Sequence, residues 1–421
     1  MRESPVGCSV RGLTMPAPST SSCPCVPYCL NIHRGESLAE VCENIRVHAR
    51  RVKAVVSPHT VYPLGLRLSA VAADELTREP SSLDQFASML KEEGMCVSLI
   101  NGFPYGAFHG TPVKREVYRP DWSAPERYRY TTQLCRILAT LLLPGERGNV
   151  STVPLAYRTP ANCDPGELRT AYVHAIVLAA LDLERLEQET GREIALALEP
   201  EPDCLLEDTA DVLSWYENEL LPEGIGWLTG SHGKRTAEEA DALLRRYVGI
   251  CLDTCHFAVA FERPLDALRR FHDAGIRVVR IQVSSALRVI VTDASRTALR
   301  AFIDPVYLHQ TKMRTPSGRR RAFPDLTEDV LTEAAEGAEL RTHFHVPLFY
   351  EGDGVLATTR DELTPEFLAL ARDNGIPLEI ETYTFDVLPK ELRGDDVVDA
   401  IVKETEWIQS RIEPAKSEGL R

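Results

Sequence analysis

Residues 194–201 read Ile-Ala-Leu-Ala-Leu-Glu-Pro-Glu, and residues 248–256 read Val-Gly-Ile-Cys-Leu-Asp-Thr-Cys-His. Within them Ile194–Glu199 and Val248–Asp253 are each a short, nearly unbroken apolar run that ends in a carboxylate. Such runs suit strands buried on both faces, as in a parallel sheet covered by helices. Moving outward, six further runs fit the same description: Tyr28–His33, Leu64–Ser69, Met95–Asn101, Asn149–Val153, Val278–Ser284 and Leu378–Tyr383. Amphipathic segments separate them. Ser37 precedes a helix over Leu38–Val56, Ser82 leads Leu83–Glu93 to a stop at Gly94, and Ser123 with Pro125 opens a helix reaching Leu143. Gly166–Thr190 ends at Gly191, and Leu265–Ala274 ends at Gly275. These are ordinary capping and stop signals. Eight βα units, none with a GxGxxG turn after the first strand, predict a closed (β/α)₈ TIM barrel rather than an open doubly wound sheet.

The 421 residues are read as one such barrel over 28–421, since α/β barrels reach this length as one domain. Residues 1–27, rich in Pro, Ser and Cys without periodicity, are read as a flexible tail. Two intervals are too long for simple crossovers, Glu201–Tyr247 and a rim insertion at 285–376 between strands 7 and 8. The second holds predicted helices near Ala294–Ile303, Leu326–Glu336 and Pro365–Asn374, a basic turn at Arg319–Arg321, and the segment His343-Phe-His-Val-Pro-Leu-Phe349.

Composition narrows the partners. A formal charge of −15 argues against a nucleic-acid surface, which needs clustered Lys and Arg, and favours a small-molecule substrate. Eleven scattered cysteines form no disulfide framework and are read as reduced thiols. With no apolar stretch of membrane-spanning length, the expected location is the cytoplasm. The oligomeric state is not legible here.

Strands that end in Glu199, Asp253, Gln282 and Glu381 would bring oxygen donors to one mouth of a barrel, with His256 three residues after Asp253. Mixed carboxylate, amide and imidazole donors suit a divalent metal, Mn²⁺, Zn²⁺, Fe²⁺, Co²⁺ or Mg²⁺. The Asp-x-x-His pair fits either a metal site or a structural hydrogen bond. His343 and His345 fall on one side of an extended segment and suit a second metal, substrate, or a solvated loop. His33, Arg67, Asn101 and His109 fall near the same mouth, and with Arg288 after strand 7 they are candidate substrate contacts, the two arginines for an anionic group. Phe103, Tyr105 and Phe108 lie in a glycine-containing loop that either closes over a ligand or packs on the rim. Cys251 and Cys255 read as packing residues.

This set of strand ends resembles the metal-dependent xylose isomerase-like barrels, which include sugar isomerases, sugar epimerases and the endonuclease IV type of DNA-repair enzyme. In that superfamily Glu on strand 5, Asp-x-x-His after strand 6, His or Gln on strand 7 and Glu on strand 8 bind metal. Glu199, Asp253 with His256, Gln282 and Glu381 match in order, while Gln282 departs from the His of the nuclease branch. Residues 28–37 (YCLNIHRGES), 101–110 (NGFPYGAFHG), 196–202 (LALEPEP), 252–256 (LDTCH), 343–349 (HFHVPLF) and 380–384 (IETYT) together resemble the EboE metabolite-traffic proteins, which are encoded in clusters tied to secondary-metabolite or lipid precursors. The resemblance implies a metal-dependent isomerase or epimerase of a polyhydroxylated small molecule, with Glu199 and Glu381 as metal ligands that also exchange protons. It leaves open a two- or three-metal phosphoester hydrolase completed by His256, His343 and His345, and a non-catalytic carrier.

Overall fold

The structure, a computed structural model, describes residues 25–110, 112–159, 166–230 and 235–412. Seven of its strands run parallel in one sheet: β1 (Tyr62–Arg67), β2 (Met95–Asn101), β3 (Gly148–Thr152), β4 (Ile194–Leu198), β5 (Val248–Asp253), β6 (Val278–Val283) and, last in the chain, β12 (Leu378–Ile380). They neighbour one another in that order and form a nearly closed barrel. The gap between β12 and β1 is filled by Tyr28 and Cys29. Tyr28 bridges Ile380 and Cys29 bridges Gly65, both in parallel, and the Cys29 amide donates to the Ile380 carbonyl at 2.8 Å. The predicted first strand, Tyr28–His33, is thus reduced to two residues. The chain then turns through a 3₁₀ helix at Leu30–Ile32, which brings Asn31 to the barrel mouth.

The helices begin where the caps predict. Ser37 and Glu40 form a reciprocal capping box at the start of 38–56, whose middle turn, Ile45–Ala49, is a π-helix. Glu167–Thr190 stops at Gly191 in the left-handed conformation, φ 69°. The helix predicted at Leu83 starts earlier, at Pro80, a residue suited to the first turn. Residues 25–27, assigned to the tail by sequence, are buried, and Pro27 accepts from the Ile380 amide. The rest of that expected tail lies outside the described residues.

The interval 285–376 differs most from its prediction. Besides its helices it builds a five-stranded antiparallel sheet from β7 (Ser285–Ile290), β8 (Thr311–Arg314), β9 (Arg320–Phe323), β10 (Glu339–Val346) and β11 (Ala357–Thr358), ordered β11-β7-β10-β8-β9. A separate apolar core, including Leu287, Phe302, Leu340 and Phe344, supports it. The strand β10 carries His343 and His345 and runs beside β7, which leaves the barrel directly after β6.

Inside the barrel, Arg280 is fully buried and pairs with the equally buried Glu379 at 3.1 Å. Its other guanidinium nitrogens donate to Asn149 Oδ1 (2.8 Å) and to the Ile100 and Asn149 carbonyls. Room for the Glu379 carboxylate depends on Gly65, where an added Cβ would lie 1.8 Å from Glu379 Oε1 and 2.9 Å from the Tyr28 carbonyl. We expect Gly65→Ala to destabilise the fold by about 3 kcal/mol or more, because it overpacks the interior and displaces one half of a buried ion pair. Urea unfolding measures this, and a variant as stable as the parent would show that Glu379 can move away without loss.

Candidate metal centre and cleft

Three carboxylates meet at the open end of the barrel. Glu199 follows β4, Asp253 ends β5 and Glu381 follows β12, and one oxygen of each lies within 4.8 Å of the others. All three are buried. Glu199 Oε2 and Asp253 Oδ2 have no hydrogen-bond partner. By contrast, the other Asp253 oxygen accepts from the Cys255 and His256 amides and the Ser284 hydroxyl, which fixes the carboxylate's direction. Asn31 and Asn101 both donate to Glu381 Oε1, at 2.6 and 3.0 Å. Burial, then the neighbouring acids, push the Glu199 and Glu381 carboxyls well above the usual range. A positive charge between them would offset this.

Beside the acids stand three imidazoles whose tautomers can be assigned from their partners. His256 Nδ1 lies 2.9 Å from the Pro200 carbonyl, and His345 Nδ1 lies 2.9 Å from the Glu381 carbonyl. His343 Nδ1 lies 2.8 Å from Gln310 Oε1, and Gln310 is oriented by its own donation to the Pro202 carbonyl. Carbonyl oxygens only accept, so each Nδ1 carries the proton and each Nε2 presents a lone pair. These lone pairs face inward. His343 Nε2 and His345 Nε2 are 3.1 Å apart, and Asp253 Oδ2 is 4.0 Å from the Nε2 atoms of both His256 and His345. Burial holds His343 well below its ordinary pKa and His345 down to about 4, so protonation does not relieve the contact at neutral pH. Converging lone pairs and an orphaned carboxylate oxygen are the donor set of a divalent cation site with carbonyl-held histidines, and the residues fit such an ion.

The ligand-bearing groups overlap. Asp253 belongs with Glu199 and Glu381 and also with His256 and His345, while Glu201 groups with His256 and His343, and Cys255 with His343 and His345. Glu201 accepts from the Tyr118 hydroxyl at 2.6 Å and stands 3.6 Å from His343 Nδ1. The cleft above holds about 480 Å³ of space, its open mouth included, and Glu199, Glu201, His256, His343 and Glu381 form its polar end.

The remaining predicted site residues divide. Asn101 lines the cleft. Gln282 sits in register with Asp253, but its Oε1 accepts from the Cys251 thiol at 2.9 Å and its Nε2 is unpartnered. Arg67 does not offer its guanidinium to the cleft, because it is committed to the Gly35 and Gly106 carbonyls and to Glu36. His33 stacks on His48, with centroids 4.3 Å apart, and burial and neighbouring His48 push its pKa down to about 3. His109 stands behind the cleft wall, its Nε2 against the Asn31 carbonyl. Arg288 lies on β7 and pairs with Asp361, because the chain leaves the barrel at Ser285 and carries it outward. Cys251 and Cys255 are buried thiols. Sequence reasoning passed over Asn31, Glu201 and Tyr383. The last two stand two residues beyond Glu199 and Glu381, a spacing that repeats a face in extended chain.

No protein-family profile matches the chain, and no curated protein does. Among solved structures it is similar to the probable 3-DHS dehydratase AsbF of petrobactin synthesis from Bacillus anthracis, at 15% identity and a TM-score of 0.46 over 90% of this chain and 97% of that one. It is also similar to IolI protein with a bound zinc atom, at 13% identity and 0.44 over 92% and 98%. A D-tagatose 3-epimerase-like protein gives 10% identity and 0.46 over 92% and 97%. Likeness at this level carries no chemistry to this chain. No described helix is long and apolar enough to cross a membrane.

One further carboxylate fixes the site's two halves. Glu404, fully buried on the C-terminal helix Val397–Ile412, accepts from the Leu348 amide (3.1 Å) and the Thr382 hydroxyl (3.0 Å). Those partners follow His345 and Glu381. Burial raises the Glu404 carboxyl to about 7. A folded-state pKa above the unfolded one means that its contribution is complete below pH 4.5 and lost as pH rises through 7. We expect the stability of the parent relative to Glu404→Gln to fall by about 3 kcal/mol between pH 4.5 and pH 8. Parallel urea titrations across that range would instead coincide in slope if the carboxyl titrates normally.

Proposed function

We propose that this chain is a metal-dependent isomerase or epimerase of an oxygenated small molecule. The carrying observation is the set of buried, unpaired donor atoms, Glu199 Oε2 and Asp253 Oδ2 beside three inward Nε2 lone pairs, at the base of a cleft. Glu199, Asp253, His256, His345 and Glu381 would hold the ion, with His343 and Glu201 adjoining. A bound divalent cation would supply positive charge that polarises a substrate carbonyl and stabilises negative charge developing on its oxygen. Glu199 and Glu381 come from separate strands, and each is placed to hold or move a proton at a substrate carbon. Asn31 and Asn101 orient Glu381 through its Oε1. His343 and Tyr383, whose hydroxyl is 3.3 Å from His343 Nε2, border the same space. The motif likeness to EboE proteins, and with it a place in handling secondary-metabolite precursors, belongs to this reading.

A second reading is favoured by one observation. The ligand atoms continue past the three acids into three histidines, enough to hold more than one ion, as phosphoester hydrolysis by adjacent metals requires. Against it, Lys114 is the one cationic side chain on the described cleft lining, and it is paired with Asp325 at 2.6 Å. Charged phosphoesters would meet no free cation of the protein.

Elemental analysis of the purified protein and of Glu199→Gln, Asp253→Asn and Glu381→Gln tests the proposal. We expect about one ion per chain in the parent and loss of most of it in each folded variant. Two or more ions would transfer support to hydrolysis. A parent that retains no Mn²⁺, Zn²⁺, Fe²⁺, Co²⁺ or Mg²⁺ after reconstitution would sink both readings and leave a metal-free binding protein.

A further inference from the structure

The cleft has two chemically different ends. Its floor is the acid and histidine cluster. Its outer wall is made by Phe103, Pro104, Phe108, Val113, Val117 and Leu308, closed on one side by the ring of Tyr307. Phe108, Tyr307 and Tyr383 form an aromatic cluster, their centroids 5.2–5.4 Å apart.

Several side-chain polar atoms bordering this wall are already committed. His109 Nε2 is 2.6 Å from the Asn31 carbonyl, so it carries the ring proton, and Nδ1 accepts from the Tyr307 hydroxyl. Lys114 donates to Asp325 (2.6 Å) and to the Asp304 carbonyl (2.8 Å). The Tyr118 hydroxyl donates to Glu201. A substrate hydroxyl placed against the wall would lose water and find no partner, whereas an apolar group there would leave water at a gain. At the floor the order reverses, since oxygens there would meet the acids, the amides and a bound ion.

Resting on the metal-site reading above, we infer that the substrate is amphipathic: an oxygen-bearing head at the floor joined to an apolar substituent, aryl or alkyl, that packs on the Phe103–Phe108–Leu308 wall. The wall therefore sets specificity, and the floor sets chemistry.

Two hydroxamates that share a chelating head separate these assignments. Isothermal titration of the full-length Zn²⁺-loaded protein with acetohydroxamate reports on the floor alone, and benzohydroxamate adds a ring for the wall. We expect benzohydroxamate to bind at least about tenfold more tightly, well within what burial of a ring supplies. Phe108→Ala and Leu308→Ala should each reduce that advantage severalfold while acetohydroxamate affinity stays unchanged, a control for the fold and for the ion. Equal affinities for the two, or tighter binding of D-arabinonohydroxamate than of benzohydroxamate, would overturn the amphipathic substrate and leave the metal site standing. Binding of none of them to the Zn²⁺-loaded protein would overturn this inference, whereas a protein that cannot be loaded with Zn²⁺ would remove the metal reading beneath it.

Discussion

The crowding of acid at one end of a closed barrel is the constraint that shapes the rest. Glu199, Asp253, Glu379 and Glu381 lie at or near the ends of β4, β5 and β12, all out of water, where unbalanced charge is expensive. One guanidinium, Arg280, sits beneath them and answers Glu379. Its Nε and Nη2 donors bond to Ile100 on β2 and Asn149 on β3, which holds it below the upper acids. The three carboxylates above it are left to share protons or a cation. Tightening the barrel around Arg280 and Glu379 requires a residue without a side chain on β1, and Gly65 occupies that place. Barrel closure, interior charge pairing and the excess acid at the mouth are therefore one arrangement.

Two of the three imidazoles come from outside the barrel proper. His343 and His345 reach the acids only because β10 belongs to an antiparallel sheet folded over the rim, and backbone ties hold it there. The Thr384 hydroxyl engages the His345 amide and carbonyl, and the His345 ring donates to the Glu381 carbonyl. Glu404 adds a tie from the other side through Leu348 and Thr382. The two loops that carry the site are thus anchored to each other behind the ligand atoms. Such support keeps donor atoms in place whether or not charge is present between them.

Much of the barrel was legible because parallel strands buried on both faces leave unbroken apolar runs. Seven of the eight predicted strands appear with their ends moved by a few residues, and the carboxylates at their ends converge. Tyr28–His33 misled because its apolar character serves only two bridging residues before the turn that places Asn31. The antiparallel sheet was not legible, since β8, β9 and β11 are short and partly exposed, too short for a periodic pattern to stand out. Arg67 and Arg288 were misassigned for a related reason. A cation near a strand end looks free in a sequence, whereas its carbonyl and carboxylate partners, Gly35, Gly106 and Asp361, are set by tertiary contacts.

The histidine tautomers carry the chemistry further than the residue types alone. A neutral imidazole becomes a ligand or an acceptor according to which nitrogen keeps the proton, and here each choice is made by an oxygen that cannot donate. With His256, His343 and His345 all held as Nδ1–H, no hydrogen remains to bridge the His343 and His345 Nε2 atoms at 3.1 Å. Tyr383 can donate to only one of them. The protein thus maintains lone pairs against each other beside an unpaired Asp253 oxygen, at a cost that packing alone does not return. Such an arrangement fits the cation proposed for the floor and, along the aromatic wall, the apolar part of the substrate inferred above.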